Sequence, residues 1–106
     1  MTKIEEFIKD LVYQHMKSEW VNNKRSINEP QAREELLGNS MMFFFYEGTT
    51  NGKDTFTDDL YTTYHTNPIL ADSYGEYPQI YGYGIYHVSI KDMDGRFIAD
   101  YVGKIE

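Results

Sequence analysis

Over the first twenty-one residues, apolar side chains return at steps of three and four, at Ile4, Phe7, Ile8, Leu11, Val12, Met16 and Trp20, with charged and polar residues between them. At 3.6 residues per turn these positions share one side of a helix, so the pattern predicts an amphipathic helix over about residues 2–21. The run "NNKRSINE" breaks the period. In "NEPQAREELLGN", Asn28 can cap a helix, Pro30 suits its first turn and Gly38 offers the left-handed residue at which helices stop. A short second helix is predicted there.

Past Gly38 the pattern changes to that of a sheet. "MMFFFYE" leads into "GTTNGK", where Asn51-Gly52 suits the positive backbone angles of a tight hairpin turn. "DTFTDDLYTTYHT" reads two ways: its Thr and Tyr favour a strand, yet Thr57 before two aspartates, with Leu60, Tyr61 and Tyr64 behind, also suits a helix start. Residues 55–65 are therefore left as strand or helix. From Asn67 to Pro78 the mixture of Asn, Pro, Asp, Ser and Gly predicts a loop long enough to serve as a functional element.

The C-terminal segment predicts a hairpin. A two-residue turn at Asp94-Gly95 sets Ile90 opposite Ala99, Val88 opposite Tyr101 and Tyr86 opposite Gly103. By the period of two, Ile80, Gly82, Gly84, Tyr86, Val88 and Ile90 face the core, together with Phe97 and Ile105. Tyr81, Tyr83, Ile85, His87, Ser89 and Lys91 face away, with Asp100 and Lys104. The expected architecture is α+β in a single domain, 1–106: an N-terminal helix and a short second helix packed on an antiparallel sheet of about four strands that ends in a C-terminal β-hairpin.

Charge narrows the functional classes. The chain carries net −7, and the acidity is uneven: residues 1–53 sum to −1 and residues 54–106 to −6. From Asp54 to Ile90 there is no Lys or Arg, while the segment holds Asp54, Asp58, Asp59, Asp72, Glu76 and eight aromatic residues. A nucleic-acid binder needs cations to displace counterions from phosphate, so direct nucleic-acid binding is not expected. There is no cysteine, which removes disulfides, thiol nucleophiles and Cys-based zinc sites. Charges are spread through the N-terminal helix, unlike a signal peptide or membrane span, so a soluble, cytoplasmic protein without membrane partners is expected.

Catalytic motifs find little support. "HVSI" at 87–90 matches half of the paired His-x-Ser/Thr signature of two-histidine phosphoesterases, but the other candidate, "HTNP" at 65–68, places Asn where a hydroxyl is required. "DMDG" at 92–95 opens like a calcium loop without its later ligands and reads more simply as a turn. Asp58, Asp59 and His65 suggest a metal or acid–base cluster only weakly, since neighbouring carboxylates commonly lie on a solvated edge. No metal, cofactor or catalytic residue is assigned.

What remains is an acidic, tyrosine-rich surface. Tyr81, Tyr83 and His87 form a ladder on the outer face, and a wet sheet face accounts for them, since tyrosine packs across strands with its hydroxyl in water. Tyrosine is equally an interface anchor with few rotatable bonds. The functional expectation is a non-enzymatic protein-binding module in which Asp58, Asp59, Tyr61, Tyr64, Tyr81, Tyr83 and His87 engage a basic surface of another protein, with room for a homo-oligomer. In composition it is similar to phage or mobile-element inhibitors of host defence nucleases, some of which imitate the charge of DNA. The alternative is a small-ligand-binding or hydrolytic domain with a pocket near His65, His87 and the 67–78 loop.

Overall fold

The computed structural model describes residues 2–106. Helix α1 spans Lys3–Asn23. It opens at Thr2, whose hydroxyl accepts from the Glu5 amide at 3.3 Å, and closes at Lys24, in the left-handed conformation at φ 53°. Ile4, Ile8 and Val12 of its apolar stripe are buried, but Trp20 is 57% exposed. Helix α2, Glu29–Leu37, is capped as expected by Asn28, whose side chain accepts from the Gln31 amide at 2.8 Å.

Its stop differs from the expectation. Gly38 has φ −55°, and Asn39 instead takes the left-handed position at φ 59°. Glycine is required at 38 for space: an added Cβ would lie 2.6 Å from the Glu34 carbonyl oxygen and 2.8 Å from that of Ser73.

The strands are β1 (Met41–Tyr46), β2 (Ile69–Leu70), β3 (Ile85–Lys91) and β4 (Phe97–Lys104), all antiparallel in the order β2-β1-β3-β4. The strand β2 lies inside the segment expected to be wholly loop. Next to it, the Asn67 side chain continues the ladder, accepting from the Phe44 amide at 3.0 Å and donating to the Phe44 carbonyl at 2.7 Å. One core joins the buried residues of α1 and α2 to Met42, Phe44, Tyr86, Val88 and Ile90 from the sheet. The helices therefore lie on one face of the sheet, and the other is uncovered.

Three local expectations shift. The hairpin after β1 turns at residues 47–50, with the Tyr46 amide donating to the Asn51 carbonyl at 3.0 Å, so Asn51-Gly52 begins the return and Gly52 pairs with Phe45. Residues 55–65 are neither helix nor regular strand: Phe56 makes single bridges to Tyr64 and Tyr81 around a turn. The alternation expected from Ile80 fails before Ile85, because Gly84 has φ 80° and is exposed, whereas Gly82 is buried against the Tyr86 hydroxyl.

In the C-terminal hairpin the pairs Ile90–Ala99, Val88–Tyr101 and Tyr86–Gly103 form as predicted, but the turn does not. Asp92 pairs with Arg96 around three residues, Gly95 is left-handed at φ 82°, and the Asp92 carboxylate accepts from the amides of Asp94 and Arg96 at 2.9 and 2.8 Å. A bulge at Ile98 takes up the extra residue and restores the register. Its consequence is local: Phe97 now pairs with Lys91 rather than facing the core, and is 63% exposed. Ser89, expected outside, is buried between Phe43 and Asp100, its neighbours on the adjoining strands, and is less exposed than Ala99 or Tyr101.

Candidate functional site

The turn that follows Phe56 is held by Asp58. Its carboxylate accepts from the Thr62 amide at 2.9 Å, the Thr62 hydroxyl and the Thr63 amide at 3.3 Å. The hydroxyl contact and then the amide bonds hold the Asp58 carboxyl below the usual aspartate value. Asp58 is thus spent on local structure, and the turn it closes puts Tyr61 in the left-handed conformation at φ 57°. Asp59, one residue on, is exposed and free of such bonds.

Phe56 gathers the tyrosines. Its ring centroid lies 5.2 Å from that of Tyr61, 5.1 Å from Tyr64 and 6.1 Å from Tyr83, and Tyr61 meets Tyr83 edge to face at 5.1 Å. Phe56 is buried, while Tyr64 and Tyr83 are 64% and 62% exposed, so a core ring supports a layer of accessible ones. Tyr81 serves as scaffold: its backbone exchanges two hydrogen bonds with Phe56, at 2.8 and 2.9 Å.

Beside this cluster opens a cleft of about 280 Å³ lined by Tyr46, Lys53, Asp54, Tyr64, Tyr83 and Tyr86, among others. The Lys53 ammonium sits 4.0 Å from the Tyr86 ring centroid and 5.4 Å from that of Tyr46, and donates to the Ile85 carbonyl at 2.8 Å. Burial lowers its pKa, and these contacts commit the charge internally. The Tyr86 hydroxyl donates to the Asp54 carbonyl at 2.7 Å, and burial pushes its pKa up to about 12, so it stays a neutral donor. With Lys53 engaged, the exposed carboxylates of Asp54 and Asp59 leave the local surface acidic.

His87 does not join this cluster. Tyr46 and Tyr86 form one cross-strand pair on the helix side of the sheet, whereas Phe45 and His87 form the next pair and point to the opposite face. His87 there lies against Phe45, with ring centroids 5.9 Å apart, and its Nε2 is 3.3 Å from Asp100 Oδ1. His65 is tied to the Gln79 carbonyl at 2.8 Å. The structure therefore gives the two histidines separate partners instead of a shared pocket.

Compared with protein-family models and with curated proteins, the chain matches none.

Among the described residues, one other group of side chains could converge on an ion: His15, Glu19 and Glu35, between α1 and α2. A cation is already there. Arg25 donates to Glu35 through two nitrogens at 2.8 and 2.6 Å and to Glu19 at 3.1 Å, while His15 Nε2 is 3.2 Å from Glu35. The forked guanidinium bridges both carboxylates, and the cluster clamps helix to helix.

Arg25, and after it His15, holds the Glu35 carboxyl down at about 2, against an ordinary value of 4.5. A depressed acid stabilises the fold above its unfolded pKa, and that contribution is lost as pH falls through the folded one. Stability should therefore decline as pH falls from about 4.5 to about 2. Acid titration of the unfolding midpoint should show a shallower slope in that window for Glu35→Gln, and an unchanged slope would assign the effect elsewhere.

Of the residues that sequence reasoning singled out, the structure brings Tyr61, Tyr64 and Tyr83 together, around Phe56 and beside Tyr46 and Lys53, which it had not singled out. The available signal was Lys53 itself, the last cation before a long acidic and aromatic stretch.

Proposed function

We propose that this chain is a non-enzymatic protein-binding module that takes a basic segment of another protein on its acidic tyrosine surface. The observation that carries the reading is the exposed layer of Tyr61, Tyr64 and Tyr83 on Phe56, next to the Tyr86 and Tyr46 rings that already hold the Lys53 ammonium at 4.0 and 5.4 Å. Faces of tyrosine attract lysine and arginine, and the nearby Asp54 and Asp59 supply the steering field. The cleft, about 280 Å³ in volume and lined by rings, has room for a partner's lysine or arginine side chain. Within this class, composition suggests a defence nuclease as the partner, because its DNA-binding surface is basic.

Arginine- and lysine-rich peptides, titrated while amide and ring resonances are followed, test the reading. Shifts should concentrate at Tyr61, Tyr64 and Tyr83 and weaken with salt, since exposed charges are screened beyond roughly 10 Å at 0.1 M. Asp54→Lys combined with Asp59→Lys should reduce affinity at least about tenfold without lowering thermal stability, a loss of about 1.4 kcal/mol. Asp58 is unsuitable for this reversal because it holds the turn. Peptide binding that ignores both salt and charge reversal rejects the proposal.

A further inference from the structure

Asn51-Gly52 lies in the return of the first hairpin and not at its tip, so turn geometry does not account for the pair. Both residues are exposed. Asn51 is held through its backbone alone: its amide donates to the Thr49 hydroxyl at 3.1 Å and its carbonyl accepts from the Tyr46 amide at 3.0 Å, which leaves the carboxamide free. The Tyr46–Asn51 bond and the one from the Lys53 amide to the Phe44 carbonyl, 2.9 Å, bracket the Phe45–Gly52 bridge. In an antiparallel pair bracketed in this way the two residues turn their own N–H and C=O groups away from each other, and the Gly52 amide donates to none of the described residues. A carboxamide and the next amide nitrogen are thus both unengaged, and glycine sets no side chain beside that nitrogen.

We propose that Asn51 is a site of spontaneous deamidation, with water as the co-reactant. The Gly52 amide gives its proton to hydroxide, and its nitrogen attacks Asn51 Cγ. A C–N bond forms and closes a succinimide ring, while the bond from Cγ to the carboxamide nitrogen breaks; that nitrogen leaves as ammonia, taking a proton from water. Water then adds to either ring carbonyl and breaks its bond to the Gly52 nitrogen, which regains its proton. The product is aspartate, or isoaspartate in which the main chain runs through the side chain. One water is consumed, one ammonia is released, and nothing is oxidised or reduced.

The fold makes the reaction selective. Among the described residues, the carboxamides of Asn22, Asn23, Asn28 and Asn67 are hydrogen-bonded, and Pro68, which follows Asn67, has no N–H. The Ser40 amide after Asn39 donates to the Leu37 carbonyl at 3.0 Å. Asp94-Gly95 could close the same ring, but the Gly95 amide donates to the Asp92 carbonyl at 3.0 Å. The effect of the modification reaches the cleft. Both products add a negative charge close to Lys53 in the chain, and isoaspartate lengthens the main chain by a methylene just before Gly52. That extra length displaces the Phe45–Gly52 bridge and the Lys53 amide bond, which together bring the Lys53 ammonium over the Tyr86 ring at 4.0 Å.

Incubation of the full chain at physiological temperature, at mildly acidic and mildly alkaline pH, followed by tryptic peptide mapping, tests the proposal. The peptide 34–53 should gain, at Asn51, the mass difference between a hydroxyl and an amino group, faster at alkaline pH and at least tenfold faster than any other asparagine reacts. Asn51→Gln, at an exposed position, should keep the parent's circular dichroism and lower ammonia release at least tenfold. In the isoaspartyl fraction the Lys53 amide should exchange its hydrogen at least tenfold faster than in the parent. The same chain unfolded in guanidinium chloride gives the rate without the hairpin. An Asn51 that reacts there but stays intact in the folded chain overturns the proposal, as does ammonia release indifferent to Asn51→Gln; unchanged exchange at Lys53 in the isoaspartyl form overturns the link to the cleft.

Discussion

Phe44→Ala should lower the unfolding free energy by about 3–5 kcal/mol, the usual cost of removing a large aromatic side chain from a core. Phe44 is fully buried, its ring meets Tyr86 edge to face at 6.0 Å, and its backbone is held by both the Asn67 side chain and the Lys53 amide. Little can collapse into the space. A domain of this size has a total stability of roughly 5–15 kcal/mol, so the variant should be near the limit of folding at 37 °C. Phe45→Ala, one residue along, should cost only about 1 kcal/mol, because its neighbours are Phe43 and His87 on the open face. Urea denaturation followed by circular dichroism measures both. Equal losses would mean that the two faces of β1 have been exchanged.

Tyr83→Ala should weaken binding of a basic partner by about tenfold or more, about 1.4 kcal/mol, at the lower edge of an interface hot spot. Tyr83 touches two members of the cluster, Phe56 and Tyr61, and borders the cleft that holds Lys53, so its loss removes contact area and the edge-to-face support of Tyr61. Tyr74→Ala is the matched control: Tyr74 is similarly exposed, at 66%, but lies outside the cluster. Isothermal titration with the same basic peptide compares them. Equal losses from both variants would show that tyrosines anywhere on the surface suffice, and the cluster would lose its claim.

The two aromatic surfaces are kept apart by the pleat of one sheet. Tyr46 and Tyr86 stand on the side that faces the helices and the acidic turn, while Phe45 and His87, their neighbours in each strand, stand on the other.

Short-range pattern by itself determined α1, the start of α2 and the pairing of β3 with β4. Each depends on forces that act within one element or across one turn: the 3.6-residue stripe from Ile4 to Val12, the Asn28 cap, and the alternation from Tyr86 to Ile90 against Ala99 and Tyr101. The pairing survived a wrong turn because burial of one face penalises any net slip, and the bulge at Ile98 absorbed the difference. Only the tertiary structure decided the rest. Phe97 moved outward through that bulge, and Trp20 continued the helical period while remaining solvent-exposed. The segment from 52 to 84 has no sustained period, and side chains distant in sequence hold it: Asn67 on Phe44, Asp54 under Tyr86, Tyr81 beside Phe56. Such contacts leave no periodic trace in the chain, which is why the tyrosines could be recognised as a surface from sequence, whereas the ring beneath them and the lysine beside them became visible only in the folded protein.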